Sequence, residues 1–127
     1  MTQEIEKRYS NFIDKHISSF DLIRNKEKYN FLPAFLNTVY GYRVLIEILK
    51  LNNQSLLGEE NICTKEHLTK VMNLLASRAT IINFINDQIS AGSLATNTSK
   101  CDKRVKIILP SIELINEFKD WIDVSYA

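Results

Sequence analysis

The sequence predicts a mainly α fold of the α+β class, in which four helices are followed by a β-hairpin and a last helix. Three observations carry this prediction. Apolar residues recur at steps of three and four over most of the chain, as in helices with one buried face. Serine or threonine residues stand before three of these stretches, where they can act as N-caps. Between residues 93 and 109 the period becomes roughly two around a polar tip, which is typical of a hairpin.

The first predicted helix covers residues 3–24 and has one apolar stripe. The stripe consists of Ile5, Tyr9, Phe12, Ile13, Ile17, Phe20 and Ile23. Such a stripe needs a partner, which is either the rest of the domain or a second subunit. The polar, basic residues 24–30 predict a turn. Pro33 then favours a short connecting segment over residues 31–37, because proline does not sit well inside a helix.

Two further helices follow in the middle of the chain. Thr38 is the predicted N-cap of a largely apolar helix over residues 39–51. Residues 52–61 are rich in turn formers and predict a loop. Thr64 is the predicted N-cap of the next helix, which covers residues 65–75 and places its apolar side chains on one side.

The last part of the chain predicts a helix, a hairpin and a final helix. Ser77 is the predicted N-cap of the helix over residues 77–91, and Gly92 is expected to end it in a left-handed conformation. A hairpin over residues 93–109 and an amphipathic helix over residues 111–124 follow. Two helices joined by a tight turn and followed directly by a hairpin are the order of a winged helix-turn-helix domain.

Charge is distributed unevenly along this chain. The formal net charge is +1, which by itself does not indicate a nucleic-acid partner. Residues 62–110, however, carry seven positive and three negative side chains, whereas residues 111–127 carry one positive and four negative ones. The basic middle segment is therefore a candidate binding face, and the acidic tail would lie away from an anionic partner.

Three stretches resemble the MarR-type winged-helix transcriptional regulators. The stretch "TVYGYRVLIEIL" at 38–49 is similar to the family's helix before the motif. The stretch "SRATIINFIND" at 77–87 is similar to the opening of its recognition helix. The stretch "CDKRVKIILPS" at 101–111 is similar to its wing, where an Asp-x-Arg pair precedes an apolar strand. Together with the flanking helices, the resemblance covers most of the chain.

This resemblance implies one winged-helix domain over residues 1–127 and a homodimer that binds double-stranded DNA. The terminal helices, residues 3–24 and 111–124, would form the dimer interface. The recognition helix 77–91 would enter the major groove, and the wing 93–109 would contact the flanking backbone or minor groove. The implied parts are an N-terminal dimerisation helix with its connector (1–36), a winged helix-turn-helix core (38–110) and a C-terminal helix (111–127).

The residue types on the predicted recognition helix suit base recognition. If Ile81, Phe84, Ile85 and Ile89 face the core, the outward positions include Arg78, Ile82, Asn83 and Asn86. Arginine can donate two hydrogen bonds to guanine, asparagine pairs with adenine, and an apolar group can meet the thymine methyl. The predicted DNA contacts are Thr64, Ser77, Arg78, Thr80, Ile82, Asn83, Asn86, Lys100, Lys103 and Arg104. The alternative interpretation of this helix face is an amide-rich surface that faces only water.

The predicted hairpin tip concentrates positive charge. Lys100, Lys103, Arg104 and Lys106 stand within seven residues, against Asp102 alone. Such a cluster suits phosphate or minor-groove contact, although lysine also keeps exposed hairpins soluble. By the resemblance, Arg104 corresponds to the family's wing arginine and Asp102 to the acid that orients it.

Other classes of function lack a pattern in this sequence. No glycine-rich loop, metal-binding histidine motif or nucleophile–base spacing indicates an enzyme, and no cofactor or metal is predicted. The two cysteines, Cys63 and Cys101, do not form a CxxC pair. No apolar run reaches the length of a membrane span, and a cytoplasmic location without membrane contact is expected.

Two hypotheses of function remain from the sequence. The first is a sequence-specific transcriptional regulator, a repressor whose operator overlaps a promoter. An unidentified small-molecule effector is compatible with it, because Tyr29, Tyr40 and Tyr42 lie near the junction where relatives bind aromatic effectors, although tyrosines there are more often core residues. The second hypothesis is a winged helix used for protein–protein interaction, or a replication or partition accessory module without sequence-specific DNA binding.

Overall fold

The computed structural model describes residues 2–23 and 27–126 of the chain. Met1, residues 24–26 and Ala127 belong to the predicted terminal and turn segments, and they lie outside the described residues. Within the described part the chain forms helices and one two-stranded antiparallel sheet, so the mainly α, α+β prediction is confirmed. The elements are α1 (Thr2–Ile23), α2 (Leu32–Leu36), α3 (Val39–Leu56), α4 (Lys65–Val71), α5 (Arg78–Ala91), β1 (Leu94–Thr98), β2 (Lys106–Pro110) and α6 (Ile112–Tyr126).

Local capping sets where α3, α4 and α5 begin. The hydroxyl oxygens of Thr38, Thr64 and Ser77 each accept the backbone N–H of the residue three positions later, at 3.0, 3.0 and 3.2 Å. The three predicted N-caps are therefore confirmed. Gly92 ends α5 with a φ of 94°, a left-handed conformation that is favourable for glycine, as predicted.

The predicted boundaries of α3 and α4 are wrong at their carboxyl ends. α3 continues through Leu56, because the polar residues 52–55 keep the helical conformation. The chain leaves this helix only at Gly58, whose φ of 100° favours glycine. α4 ends at Val71, and residues 72–75, predicted as helix, form turns instead.

The connector between α1 and α3 contains α2, a short helix that the sequence did not predict. Pro33 lies in its first turn, where the missing backbone N–H costs nothing. The carboxylate oxygen Oε1 of Glu117 on α6 accepts the backbone N–H groups of Phe31 and Leu32, at 3.0 and 3.1 Å. A side chain from a distant helix therefore caps α2, which explains why a local pattern does not reveal it.

The hydrophobic core lies between α3, α5, α6 and the hairpin. Large side chains with almost no exposed surface come from each of these elements and from their connections. They include Phe35, Leu45, Ile48, Leu68, Met72, Ile81, Ile85, Ile108 and Leu114. This core fixes α5 against the rest of the domain.

The hairpin is attached to the domain at its base. Leu94 pairs with Pro110 at the base, and Thr98 pairs with Lys106 near the tip. The backbone N–H of Ile108 donates to the carbonyl oxygen of Cys63 at 2.7 Å, which joins β2 to the segment before α4. The backbone N–H of Ser111 also donates to the carbonyl oxygen of Ser93, at 2.8 Å. The first bond attaches β2 to the rest of the domain, and the second closes the base of the hairpin.

The long helix α1 packs against α6 near its carboxyl end. The indole Nε1 of Trp121 donates to the backbone oxygen of Ser19 at 3.0 Å, and Ser19 is buried. The apolar stripe of α1 stays exposed from Ile5 to Phe20. On α6, the apolar residues of the predicted amphipathic helix are buried or partly buried except for Ile112. Ile112 is 78% exposed because it lies at the first position of that helix.

None of the helices in the described part of the chain is long and apolar enough to cross a lipid bilayer.

Candidate nucleic-acid interface

α5 has one buried and one exposed face. Ile81 and Ile85 have no exposed surface, whereas Arg78, Asn83 and Asn86 are exposed. The predicted division of this helix into two faces is therefore confirmed. Ile82 and Thr80 are partly buried, at the border between the two faces. The exposed side thus offers two amides, and the first turn adds one exposed guanidinium; these groups can donate to base edges, and the amides can also accept.

Aromatic packing holds α5 in place on α3 and α2. The ring of Phe84 meets the rings of Phe35 and Tyr40 edge-on, with centroids 5.4 and 5.6 Å apart. Gly41 permits this close approach, because a β-carbon there would lie 2.8 Å from the Thr38 hydroxyl oxygen and 3.3 Å from the Phe84 ring. The exposed face of α5 therefore belongs to a rigidly packed helix.

Arg78 is bound to side chains of α4. Its Nη1 donates to Oε2 of Glu66 at 2.8 Å, and its Nη2 donates to Oε1 of the same carboxylate. Its Nη1 also lies 3.4 Å from the hydroxyl oxygen of Thr69. The hydrogen bond from Arg78 holds the pKa of Glu66 below its ordinary value, so this carboxylate is charged at neutral pH.

Sequence reasoning missed Glu66, since no local pattern joins residues 66 and 78. An acidic residue in the first turn of a helix is common, and it is normally explained by the helix dipole alone. The pairing depends on how the turn between α4 and α5 folds back, and residues 72–75 were predicted as helix rather than turn. Arg78 is therefore exposed as predicted, but it lies at the start of α5 on the side that faces α4, and a carboxylate already engages it.

Two of the hydroxyl groups predicted to contact DNA, those of Ser77 and Thr64, serve as caps. Ser77 accepts the backbone N–H of Thr80 and donates its own hydroxyl hydrogen to the Thr80 hydroxyl oxygen, at 2.9 Å. Thr64 accepts the backbone N–H of His67. No hydrogen bond among the described residues uses the hydroxyl hydrogens of Thr64 and Thr80. These two groups can therefore still donate to a phosphate oxygen.

α4 is tied to α3 through a buried carboxylate. Glu47 is 4% exposed, and its two oxygens lie 2.8 Å from Nη1 of Arg43 and from Nε2 of His67. Burial alone would raise the pKa of Glu47, but the hydrogen bonds from His67 and Arg43 outweigh it and keep the pKa below its ordinary value. The charged carboxylate thus links the helix that carries Glu66 to the core.

The hairpin tip carries its cations in the open. Lys100, Lys103 and Arg104 are all exposed, and the side chain of Arg104 is 91% exposed. Oδ1 of Asp102 accepts the backbone N–H of Arg104 at 3.0 Å and lies 3.3 Å from its Nε. These hydrogen bonds, the backbone one first, hold the pKa of Asp102 below its ordinary value. The structure thus contains the acid–arginine contact that the resemblance implied.

Neither cysteine has an activated thiol. Burial, assisted by the charge of Glu47, raises the pKa of Cys63 to about 12. Cys101 is exposed at the tip, and a hydrogen bond with the Glu60 carboxylate raises its pKa as well. A reactive thiol needs a lowered pKa, so neither environment favours redox chemistry.

Two surface features near α5 were not expected from the sequence. Asp87 is exposed one turn after Asn83 and places a negative charge beside the amides. Leu74 is 94% exposed and Leu75 is 46% exposed in the turn between α4 and α5. Exposed leucines of this size favour contact with another apolar surface.

No group of three or more His, Cys, Asp or Glu side chains in residues 2–23 and 27–126 is arranged to hold a metal ion. No protein-family model matches this sequence, and no curated protein is similar enough to match it. The resemblance to MarR-type regulators therefore stays a prediction that depends on the residues and on their arrangement.

Proposed function

We propose that this protein is a sequence-specific DNA-binding transcriptional regulator, a homodimeric repressor with a winged helix-turn-helix. α5 would enter the major groove, and the hairpin would contact the flanking backbone or minor groove. The single observation that carries the proposal is the exposed face of α5. There Asn83 and Asn86 lie on the side away from the fully buried Ile81 and Ile85, and Arg78 is exposed at the first position of the helix. The helix is directly followed by a hairpin with an exposed cationic tip.

The order of elements supports this proposal. α4, a turn, α5 and an antiparallel hairpin follow one another, which is compatible with a winged helix. In such domains the second helix of the pair contacts base edges in the major groove, and the first helix crosses the DNA backbone. The link between Ile108 and Cys63 adds a backbone contact between the hairpin and the segment that leads into α4. One rigid unit would therefore present both α5 and the hairpin.

The charge of the two predicted contact elements also supports it. The hairpin tip exposes Lys100, Lys103 and Arg104, and these cations could replace counterions along the phosphate backbone. Asparagine and arginine on α5 match the donors and acceptors of the major groove. A purely solvated helix face would more commonly carry glutamate and lysine on its exposed side.

The exposed stripe of α1 supports a dimer. α1 is about 33 Å long at the rise of an α-helix. The apolar side chains of its stripe stay exposed from Ile5 to Phe20. A second copy would cover these side chains with its own terminal helices. A two-fold dimer would then place two α5 helices at half-sites that are about one DNA turn apart.

A second candidate function is protein binding through the same fold, without sequence-specific DNA contact. The exposed Leu74 and Leu75 and the acidic Asp87 favour it, since they suit a protein surface better than a phosphate backbone. The contact between Arg78 and Glu66 also favours the protein-binding candidate if it keeps the guanidinium from reaching a base. The two candidates differ in whether duplex DNA binds at all.

A salt titration of binding to a random-sequence duplex separates the two candidates. A DNA-binding protein should bind at low salt, and log Kd should rise linearly with log salt concentration, because counterions are released from phosphates. Arg78→Ala should lower the affinity. Lys50→Ala removes an exposed cation of α3 outside the proposed interface and should leave the affinity unchanged.

Selection of duplexes from a random pool then tests sequence specificity. An enriched sequence with two-fold symmetry supports a dimeric regulator, and its spacing should match about one helical turn. The absence of salt-dependent duplex binding would reject DNA recognition and favour the protein-binding candidate. Equal loss of affinity in Arg78→Ala and Lys50→Ala would place the interface elsewhere on the surface.

A further inference from the structure

The contact between Arg78 and Glu66 leaves part of the guanidinium accessible. The carboxylate receives hydrogen bonds from Nη1 and Nη2, and the second hydrogen of Nη1 faces the hydroxyl oxygen of Thr69. Among the described residues, no hydrogen bond uses the Nε–H of Arg78. The side chain is 59% exposed, and its Nε–H and one N–H of Nη2 have no partner among the described residues.

This unused edge has the geometry that guanine requires. A guanidinium has five N–H donors, and the Nε–H and the outer N–H of Nη2 point in parallel. Two parallel donors of this kind can pair with O6 and N7 of guanine. Arg78 can therefore keep its contact with Glu66 and still offer a bidentate edge to DNA.

Several hydrogen bonds hold the backbone of α4 around Glu66. It lies in the first turn of α4, which begins at the cap of Thr64. The neighbouring residue His67 contacts the buried carboxylate of Glu47 on α3. The Thr69 hydroxyl donates to the backbone oxygen of Glu66 at 2.9 Å. These contacts fix the backbone of α4 around Glu66.

We propose that Glu66 is a positioning residue that holds Arg78 by its Nη1–Nη2 edge and presents the Nε–Nη2 edge to a guanine. The inference rests on the DNA-binding function proposed above. A preoriented side chain loses less conformational freedom when it binds, which strengthens the correct contact. The negative charge of Glu66 also opposes non-specific attraction to phosphates, and both effects raise specificity.

The test compares two probes and several variants of the full chain. The probes are a duplex enriched by the wild-type protein from a random pool and a random-sequence duplex of equal length. The variants are Glu66→Gln, Glu66→Asp, Arg78→Ala and the double variant of Glu66→Gln with Arg78→Ala. Glu59→Gln is the matched control, because it removes an exposed carboxylate from the loop after α3.

Glu66→Gln should weaken binding to the enriched duplex about tenfold, within the usual value of one bidentate base contact. Its binding to the random duplex should stay equal or become tighter, because a negative charge is lost. Glu66→Asp keeps the charge but shortens the side chain, and it should also weaken binding to the enriched duplex. In the Arg78→Ala background, Glu66→Gln should cause no further loss. Glu59→Gln should change neither affinity.

Four outcomes would overturn the inference. Tighter binding of Glu66→Gln to the enriched duplex would mean that Glu66 competes with DNA for Arg78. An equal loss with and without Arg78 would mean that Glu66 only supports the fold, and thermal unfolding of each variant would show that change directly. If the wild-type protein binds no duplex in a salt-dependent way, the proposed function and this inference fail together. If wild type and Glu66→Gln share one sequence preference and affinity, only the inference fails.

Discussion

Two arginines of this protein contact carboxylates in different ways. Arg78 on α5 is held by Glu66 on a different helix, through both of its terminal nitrogens. Arg104 in the hairpin tip contacts Asp102 two residues away, at 3.3 and 3.4 Å, and its side chain is almost completely exposed. The first contact fixes an arginine relative to two packed helices. The second orients an arginine only relative to its own loop.

The two contacts suit two different tasks of a DNA-binding surface, base recognition and attraction to phosphates. Base recognition needs a donor pair held in a defined place relative to the groove, which a contact between helices can supply. Phosphate attraction tolerates variation in position, because it depends mainly on charge. In the proposed complex with DNA, Arg78 would therefore suit base recognition and Arg104 would suit backbone contact. This difference in roles can be tested by variants, beginning with the buried residues that hold α5 and α4 in place.

The largest effect is expected when the buried face of α5 is disrupted. Ile85→Ala should lower the free energy of unfolding by about 3 kcal/mol, because Ile85 has no exposed surface and its truncation leaves a cavity. Val105→Ala, beside the hairpin tip and only partly buried, should cost less than about 1 kcal/mol. Urea denaturation measures both values. Equal losses would show that the tip is packed as firmly as α5.

Glu47→Gln should weaken the anchor of α4. We expect a loss of about 2 kcal/mol at pH 7, less than for a fully buried ion pair because Arg43 and His67 are partly exposed. The pKa of Glu47 is lower in the folded protein than in the unfolded chain, so its contribution is present above the ordinary carboxyl pKa of about 4.3. That contribution disappears as the pH falls through the folded value.

Urea denaturation of wild type and Glu47→Gln between pH 7 and pH 3 checks this prediction. The two stabilities should converge as the pH falls, because the wild-type carboxyl becomes protonated. Glu59→Gln serves as the control, since it removes an exposed carboxyl group from the loop after α3. A constant difference at every pH would contradict the assigned role of the Glu47 charge.

Arg78→Ala should reduce affinity for an enriched duplex about tenfold and flatten base preference at one position of each half-site. Affinity for random duplexes should fall much less, because one charge is lost among several. Competition binding with duplexes that are altered at single positions measures this preference. An unchanged preference at every position would remove Arg78 from base recognition.

Arg104→Ala should have the smallest effect. We expect affinity to fall about two- to threefold for all sequences alike, and the slope of log Kd against log salt concentration to decrease by about 1. Salt titrations on enriched and random duplexes provide the comparison. A sequence-dependent loss would indicate that the hairpin tip recognises bases, and it would remove the contrast with Arg78.

Features set by neighbouring residues could be predicted from the sequence. Thr38, Thr64 and Ser77 cap helices because each hydroxyl reaches an N–H only three residues away. Gly92 ends α5 because the left-handed conformation it adopts is a local property of the backbone. The spacing of apolar residues at steps of three and four also predicted that Ile81 and Ile85 are buried, since the buried side of a helix follows from its period.

Features set by distant residues could not be predicted. α2 is capped by Glu117, which lies more than 80 residues away in the chain. The Asn-rich end of α3 has turn composition, yet it stays helical through Leu56, because the helix propensity of asparagine is only weakly unfavourable. The Glu66–Arg78 contact depends on the fold of the intervening turn, so sequence identified the arginine but not the carboxylate that holds it.

The hairpin tip has a consequence for how this chain can diversify. The backbone N–H of Ser99 donates to the carbonyl oxygen of Val105 at 2.9 Å, which closes the loop above the last strand pair, Thr98 and Lys106. Because the register is fixed below this bond, the segment between Ser99 and Val105 can gain or lose residues without moving α5 or the core. Insertions there would change the reach of the tip while the exposed face of α5 stays the same.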